Sequence, residues 1–140
     1  MGWLAGDWRE TGLISTPADG PVSWTSRADA AEAAAIILAS DGGFDGAVTL
    51  TGSSAPDLDD VAGIASELVG HSVGRVVVGD DDWVASQVAA GRPETMARFT
   101  LGMYQAAREG FFAGVDPQLA RLLGREPRSV REALEAVPTY

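Results

Sequence analysis

The sequence contains no cysteine, no lysine and no asparagine. Without cysteine the chain can form no disulfide, no thiolate nucleophile and no cysteine-ligated zinc site. Without lysine it has no Schiff-base amine, no P-loop lysine and no Tyr-x-x-x-Lys catalytic pair. The missing residue types therefore exclude several common kinds of catalytic and cofactor site.

Long apolar runs and basic patches are missing as well. The longest apolar run, Ala33 to Ala39, is too short to span a bilayer. Residues 1–7 show no signal-peptide pattern, which favours a cytoplasmic location and no membrane partner. Ten arginines oppose twenty acidic residues, giving a net charge of -10. Such a surface repels phosphate backbones, and no nucleic-acid partner is expected.

The remaining composition is that of one globular domain. The chain has 140 residues, of which 46% are hydrophobic and 21% charged. This length suffices for a single domain over residues 1–140 with a substantial core.

Strand-like and helix-like segments alternate and predict an α/β fold with a small, mostly parallel sheet of about three strands, flanking helices and a helical C-terminal part. The predicted strands are Val22–Thr25, Gly46–Thr51 and Val73–Val78. The last is expected to be buried on both faces. The helices between them favour parallel pairing because parallel strands need a long crossover.

Capping residues mark the predicted helices. Ser26 begins a helix to about Ser40, with Asp29 placed for a capping box and alanines suited to close packing on a sheet. Asp57 begins a second helix, which ends at Gly70. A short N-terminal helix is predicted with Trp3, Leu4 and Trp8 on one face. In the C-terminal half a long helix is predicted from Pro93 to about Phe112, with Phe99 and Met103 on one stripe. Shorter helices are predicted from Asp80 onward, over residues 117–123 and over residues 130–134.

Motifs for common chemistries are absent. No G-x-G-x-x-G follows a strand, and Gly42-Gly43-x-x-Gly46 precedes one instead. No G-x-S-x-G elbow or metal-ligand cluster occurs, and His71 is predicted to be a solvated loop residue. The chain alone is thus expected to bind no cofactor and no metal, and its catalytic residues stay unknown.

Candidate ligand-binding residues lie mainly after the predicted strands. Thr51, Gly52 and Ser53 follow the second strand, where open α/β sheets place ligands; an ordinary turn is the alternative. Arg27 follows the first strand and either pairs with Asp29 or faces a ligand.

A second candidate lies on the predicted long helix. Tyr104 and Arg108 are four residues apart, a spacing that would let arginine lower the tyrosine pKa but that any helix surface provides. Five large apolar side chains are suited either to lining a pocket or to packing in the core: Trp83, Phe99, Met103, Phe111 and Phe112.

Four stretches together resemble the NmrA-like proteins, which are atypical short-chain dehydrogenase/reductases, and most of all their quinone-oxidoreductase-like branch. They are Ser23-Trp24-Thr25-Ser26-Arg27-Ala28-Asp29-Ala30-Ala31-Glu32-Ala33, then Val48-Thr49-Leu50-Thr51-Gly52 with the helix and strand up to Val78, then Arg108-Glu109-Gly110, then Leu123-Gly124-Arg125-Glu126-Pro127-Arg128-Ser129-Val130. The family begins with a Rossmann half that carries a glycine-rich fingerprint. Since this chain has no such fingerprint, it resembles only the C-terminal, substrate-side half.

The resemblance implies the substrate-binding part of an NAD(P)H-dependent oxidoreductase that acts on quinones or related carbonyls. It implies ligand contacts at Trp24, Arg27, Thr51 and Gly52. Two alternatives stay open: a standalone small-molecule binder or cofactor-free isomerase or cyclase, and a noncatalytic subunit that pairs with a Rossmann partner. A sheet of only about three strands exposes an edge and an apolar face, which favours a homodimer.

Overall fold

The computed structural model describes residues 8–40, 44 and 46–136. These residues form an α/β fold with flanking helices and a helical C-terminal part. Its elements in chain order are α1 (Trp8–Thr11), β1 (Leu13–Thr16), α2 (Arg27–Ala39), α3 (Leu58–Val69), β2 (Gly74–Val77), α4 (Asp80–Ala89), α5 (Glu94–Arg108), α6 (Gln118–Leu123) and α7 (Val130–Glu135). Trp3 and Leu4 of the predicted N-terminal helix lie outside the described residues, as do Gly42 and Gly43.

The sheet pairs β1 with β2 in parallel, from Leu13 opposite Gly74 to Thr16 opposite Val77. The pairing is parallel, as predicted, but the strand Leu13–Thr16 was not among the three predicted strands. The strand number was overestimated, because residues 22–25 and 46–51 are not strands of this sheet.

Single hydrogen bonds to other loops replace a strand ladder in the 22–25 segment. The Ser23 backbone N–H donates to the Phe112 carbonyl at 2.9 Å, and Thr25 Oγ1 donates to the Leu50 carbonyl at 3.3 Å. β-Branched and aromatic residues suit any half-buried surface, and the sequence pattern alone did not reveal that the partners here are loops.

The core covers Ile14 and Thr16 of β1, whereas β2 is open on both faces at its end. Ile14 on β1 is fully buried, whereas Val76 and Val77 on β2 are 42% and 59% exposed. The expectation that this strand is buried on both faces was wrong, since no described helix covers the outer residues.

Local capping signals set the helix starts. Asp57 and Asp60 form a reciprocal capping box at α3, which ends at Gly70 with φ 73°. Ser129 and Glu132 form another at α7. At α2, Ser26 accepts from the Ala28 N–H alone, and the predicted box with Asp29 does not form.

Two helices are less buried than their sequences indicate. The helix α2 packs on α6 and buries only Asp29 and Ala33, while Leu38 is 86% exposed. Close packing of its alanines on the sheet was therefore a wrong expectation. The helix α5 ends at Arg108, earlier than expected, and Phe99 is 66% exposed because the buried face runs along other positions.

The core lies between the sheet, α3, α4, α5 and α7. Its buried members are Trp8, Ile14, Leu58, Val61, Ala62, Ala65, Val73, Trp83, Val84, Ala97, Leu101, Tyr104, Val130 and Leu134. Within the described ranges, none of the helices has the length and apolar character needed to cross a membrane.

Candidate functional site

Two close backbone approaches bring the loops that follow β1 and α2 onto the end of α5. A Cβ atom on Gly20 would lie 2.3 Å from the Ala107 carbonyl oxygen, and one on Gly52 would lie 2.4 Å from the Trp24 carbonyl oxygen. Only glycine fits at either contact. The loops 17–25 and 49–54 are therefore held together beside the C-terminal turns of α5.

A cleft of about 500 Å³ opens between these segments, a volume typical of small-molecule sites. Its walls are mostly apolar and include the side chains of Ser23, Thr49 and Thr51. The lining residues are Val22, Ser23, Thr49, Thr51, Met103, Phe111, Phe112, Gly114, Val115 and Asp116.

Thr51 fixes the rim of the cleft. Its Oγ1 accepts a hydrogen bond from the Asp116 backbone N–H at 2.7 Å and lies 3.2 Å from the Asp116 carbonyl, to which it donates. The Asp116 carboxylate in turn accepts from the Gln118 N–H at 2.7 Å. The hydroxyl of Thr51 thus joins the loop before α3 to the loop before α6.

A side cavity of about 50 Å³ lies next to the cleft. Three residues line both spaces and form their common wall: Val22, Met103 and Phe112. The rest of the side cavity is lined by Asp19, Trp24, Leu58, Tyr104 and Ala107. The Trp24 indole N–H points away to the Pro56 carbonyl, to which it donates at 3.1 Å.

The Asp19 carboxylate at the side cavity is fully partnered. Its Oδ1 lies 2.8 Å from Arg75 Nη2, and both side chains are over nine-tenths buried. Its Oδ2 accepts from the Leu58 N–H at 2.9 Å, at the first turn of α3. Arg75 also donates to the Pro17 carbonyl at 2.9 Å. The pair ties the end of the sheet to the turn after β1 and presents no unpaired charge from Asp19.

Tyr104 lines the side cavity with a protonated phenol. Burial raises its pKa to about 12, a rise that nearby Arg75 partly offsets and Asp19 reinforces. Its ring packs edge-on against Trp83, with centroids 5.4 Å apart. A phenol with this pKa keeps its proton at neutral pH and cannot act there as a base.

Tyr104 and Arg108 do not form a pair, although they lie four residues apart on α5. The Arg108 guanidinium lies 2.8 Å from the Asp80 carboxylate on α4, to which Gln105 also donates at 3.0 Å. The arginine therefore joins α5 to α4, and the tyrosine pKa moves upward rather than downward.

Arg27 lies apart from the cleft. It is exposed and borders a separate groove of about 450 Å³ together with Trp24 and Arg128. The pairing partner considered for it, Asp29, is engaged elsewhere. Trp24 is thus the one residue of the predicted set that lines both the side cavity and this groove.

Asp29 joins two of the sequence stretches that carried the family resemblance. Its Oδ2 accepts from the Arg128 backbone N–H at 2.7 Å, and its Oδ1 accepts from Arg125 Nη2 at 2.9 Å and from Arg128 Nη1. Burial alone raises the pKa of Asp29, but the bonds from Arg128 and Arg125 outweigh it and hold the pKa below 3.8. The Arg-x-Asp and Gly-Arg-x-Pro stretches are therefore two halves of one structural contact.

The other predicted site residues have structural contacts. Gly52 is buried against Trp24, and Ser53 Oγ donates to Glu126 Oε2 at 2.5 Å. Of the set, Thr51 lines the cleft, Trp24 and Tyr104 line the side cavity, and Gly52 and Ser53 line neither. His71 is exposed, as predicted.

Four lining residues of the side cavity escaped sequence reasoning: Asp19, Val22, Leu58 and Ala107. Five further residues of the cleft did so too: Ser23, Thr49, Gly114, Val115 and Asp116. Asp19 sits in a Pro-Ala-Asp-Gly-Pro stretch that indicates a turn, and Leu58 belongs to an ordinary apolar helix stripe. No local signal distinguishes them. Met103, Phe111 and Phe112 line the cleft, as expected if the large apolar side chains form a pocket, whereas Trp83 belongs to the core.

The arrangement is suited to binding rather than to proton transfer. The walls of the cleft are mostly apolar, the hydroxyls of Ser23 and Thr51 donate to protein carbonyls, and the Asp116 carboxylate accepts from the Gln118 N–H. At the side cavity Asp19 is paired with Arg75 and Tyr104 is protonated. Among the described residues no group of three or more His, Asp or Glu side chains is placed to hold a metal ion.

Comparison with known proteins identifies oxidoreductase relatives. No family model matches the chain. The NmrA-like family domain-containing oxidoreductase flvB of Aspergillus flavus is 25% identical over 128 residues, which are 89% of this chain and 42% of that protein.

Solved structures give the same result. The NADPH-dependent quinone oxidoreductase QOR2 of Escherichia coli aligns with a TM-score of 0.83 and 25% identity, over 90% of this chain and 46% of its own. The Citrobacter sp. triphenylmethane reductase, solved with NADP(H), aligns with a TM-score of 0.84 and 27% identity, over 96% and 49%. The chain spans a little under half the length of these relatives. The chain is thus related to the NmrA-like and quinone-oxidoreductase-type proteins, and the matched share agrees with its resemblance to their C-terminal half.

Proposed function

We propose that this chain is the substrate-side part of an NAD(P)H-dependent oxidoreductase and that its cleft binds a flat apolar ring of the quinone class. The observation that carries the proposal is the cleft itself, whose mostly apolar lining includes Met103, Phe111 and Phe112. Aromatic and sulfur-bearing walls suit a planar ring.

The described residues do not fit the cofactor that the relatives use. The helix that directly follows β2 begins with Asp80, Asp81 and Asp82, whose charges repel a diphosphate from that N-terminus. The helix after β1 begins at Arg27, eleven residues beyond the strand, without a glycine-rich turn. The proposal therefore assigns hydride-donor binding to protein other than these residues.

The isomerase or cyclase alternative is less well supported. Both reactions need a group that moves a proton. Among the cleft-lining residues Asp116 carries the one carboxylate, and this carboxylate already accepts a hydrogen bond from the Gln118 N–H at 2.7 Å. At the adjoining side cavity, Asp19 is held by Arg75 and Tyr104 keeps its proton. Binding a ring that is reduced by a separately held hydride donor requires no proton transfer from these side chains.

The experiment is an NMR titration of the labelled chain with 1,4-naphthoquinone. Since the chain has neither cysteine nor lysine, the usual side-chain nucleophiles cannot trap the quinone covalently. We expect shifts at the backbone amides of Thr51 and Phe112, which line the cleft. The change Phe112→Ala should weaken binding about fivefold, the cost of about 1 kcal/mol of lost apolar contact.

The matched control is Phe99→Ala, which removes an exposed phenylalanine of α5 that does not line the cleft. Its affinity should equal that of the unchanged chain. Equal losses in both variants, or shifts spread evenly over the surface, would contradict the proposed site.

A further inference from the structure

The side cavity has no part in the proposed function as stated so far. Its volume of about 50 Å³ suits one or two methyl-sized groups, given that a water molecule takes up about 30 Å³ of liquid. It shares Val22, Met103 and Phe112 with the cleft. A ring held against that common wall would therefore place one of its edges beside the side cavity.

The chemistry of the lining favours an apolar occupant. Trp24, Leu58 and Ala107 contribute apolar surface. The Asp19 carboxylate needs no hydrogen bond from a ligand, because its two oxygens already bind Arg75 and the Leu58 N–H. A charged substituent would lose its hydration without gaining a free partner from Asp19, whereas an alkyl group loses nothing.

The common wall can yield to such a group. Met103 has an unbranched, adaptable side chain and is only partly buried. Phe112 is 38% exposed and lies in the loop after α5. The opposite end is rigid, since Ala107 belongs to α5 and its carbonyl is in contact with the Gly20 turn.

We infer that the side cavity selects quinone-class rings that carry one short alkyl substituent, with Ala107 and Met103 as the residues that set the permitted size. This inference rests on the proposed function, because it places the parent ring in the cleft. It adds the substituent that the ring carries and the residues that choose it.

The test compares dissociation constants for 1,4-naphthoquinone and its 2-methyl derivative, measured by the same NMR titration. The methyl derivative should bind the unchanged chain about fourfold more tightly, the gain from burying one methyl group. In Ala107→Val, whose added methyl groups fill the cavity, this preference should fall to near one. Because both ligands are compared on each variant, a general gain from greater ligand hydrophobicity cancels.

Ala106→Val is the matched control, since the same change is made one residue away at a position that lines neither space. It should keep the fourfold preference. If Ala107→Val does not fold, as judged by circular dichroism, Met103→Ala supplies a second test: it joins the two spaces and should shift the preference from the methyl to the 2-isopropyl ring.

The outcomes separate the two proposals. Binding of the parent ring without any methyl preference, or a preference that survives in Ala107→Val, overturns the side-cavity inference and leaves the proposed function standing. Failure of every ring to bind overturns both.

Discussion

Replacing Asp29 by asparagine should destabilise the protein far more than a change of one surface carboxylate normally does. Asp29 is fully buried and accepts three hydrogen bonds, two from Arg128 and one from Arg125. The amide keeps the size of the side chain and one acceptor oxygen but removes the charge. It also turns an N–H₂ group toward arginines that have only protons to offer.

The magnitude follows from the exposure of the partners. Hydrogen bonds to a charged group contribute about 1.5–3 kcal/mol each, and breaking a buried pair costs about 3–5 kcal/mol. Here Arg125 and Arg128 are 37% and 45% exposed and can regain water. We therefore expect a loss of about 2–3 kcal/mol, equivalent to a fall in Tm of about 6–9 °C.

Urea unfolding followed by circular dichroism measures this loss, and Glu32→Gln is the control. Glu32 contacts the same Arg125 at 2.6 Å but is 46% exposed. Exposed pairs contribute about 0–1 kcal/mol, and the control should stay close to the unchanged chain. Similar losses in Asp29→Asn and Glu32→Gln would refute the reasoning.

The pH dependence gives a second, independent check. Since the folded-state pKa of Asp29 is held below 3.8, its contribution to stability is present above that value and is lost as the pH falls through the lower folded pKa. The stability difference between the unchanged chain and Asp29→Asn should be full at neutral pH and should shrink as the pH falls through the lowered pKa of Asp29. A stability difference that does not change with pH would show that the loss comes from packing rather than from the charge of Asp29.

Three further predictions concern packing, cofactor and association. Gly52→Ala should cost about 1–3 kcal/mol in urea unfolding, because its Cβ would lie 2.4 Å from the Trp24 carbonyl oxygen, whereas Gly63→Ala, in open space on α3, should stabilise by about 0.5–1 kcal/mol; the opposite order would contradict the close approach. Calorimetric titration of the chain alone with NADPH should give a constant no tighter than about millimolar, and a micromolar constant would reveal a cofactor site that the sequence does not indicate. Light scattering should report twice the chain mass of 14.5 kDa, since Val76, Val77 and Leu38 leave apolar surface exposed; a 14.5 kDa species that persists at high salt would contradict a dimer.

The starts of α2, α3 and α7 and the end of α3 were predictable because their causes are local. Asp57 and Ser129 bond to backbone N–H groups three residues away, and Gly70 adopts the left-handed conformation that ends α3. Each of these features depends on a few neighbouring residues and can be recognised from the sequence. The start of α2 was predicted for the same reason, through Ser26.

Sheet membership was less predictable because its causes are distant. Residues 46–51 have the composition of a strand, yet the sheet pairs Leu13–Thr16 with Gly74–Val77 across some sixty positions. Asp29 shows the same limit at the level of one side chain. Its position suggested a capping box, but partners about one hundred residues away bind it instead. The side cavity is likewise assembled from distant segments, which explains why Asp19 and Leu58 carried no signal.

The bridge from Asp29 to Arg125 and Arg128 also has a consequence for the order in which the protein is made. The partners are separated by 96 and 99 positions. At a synthesis rate of about 5–20 residues per second, Asp29 leaves the ribosome about 5–20 s before Arg128 does. During that interval α2 lacks the arginines that neutralise its buried carboxylate, and the helix stays hydrated at this position. The contact between α2 and the segment before α7 therefore forms only after Arg125 and Arg128 have left the ribosome.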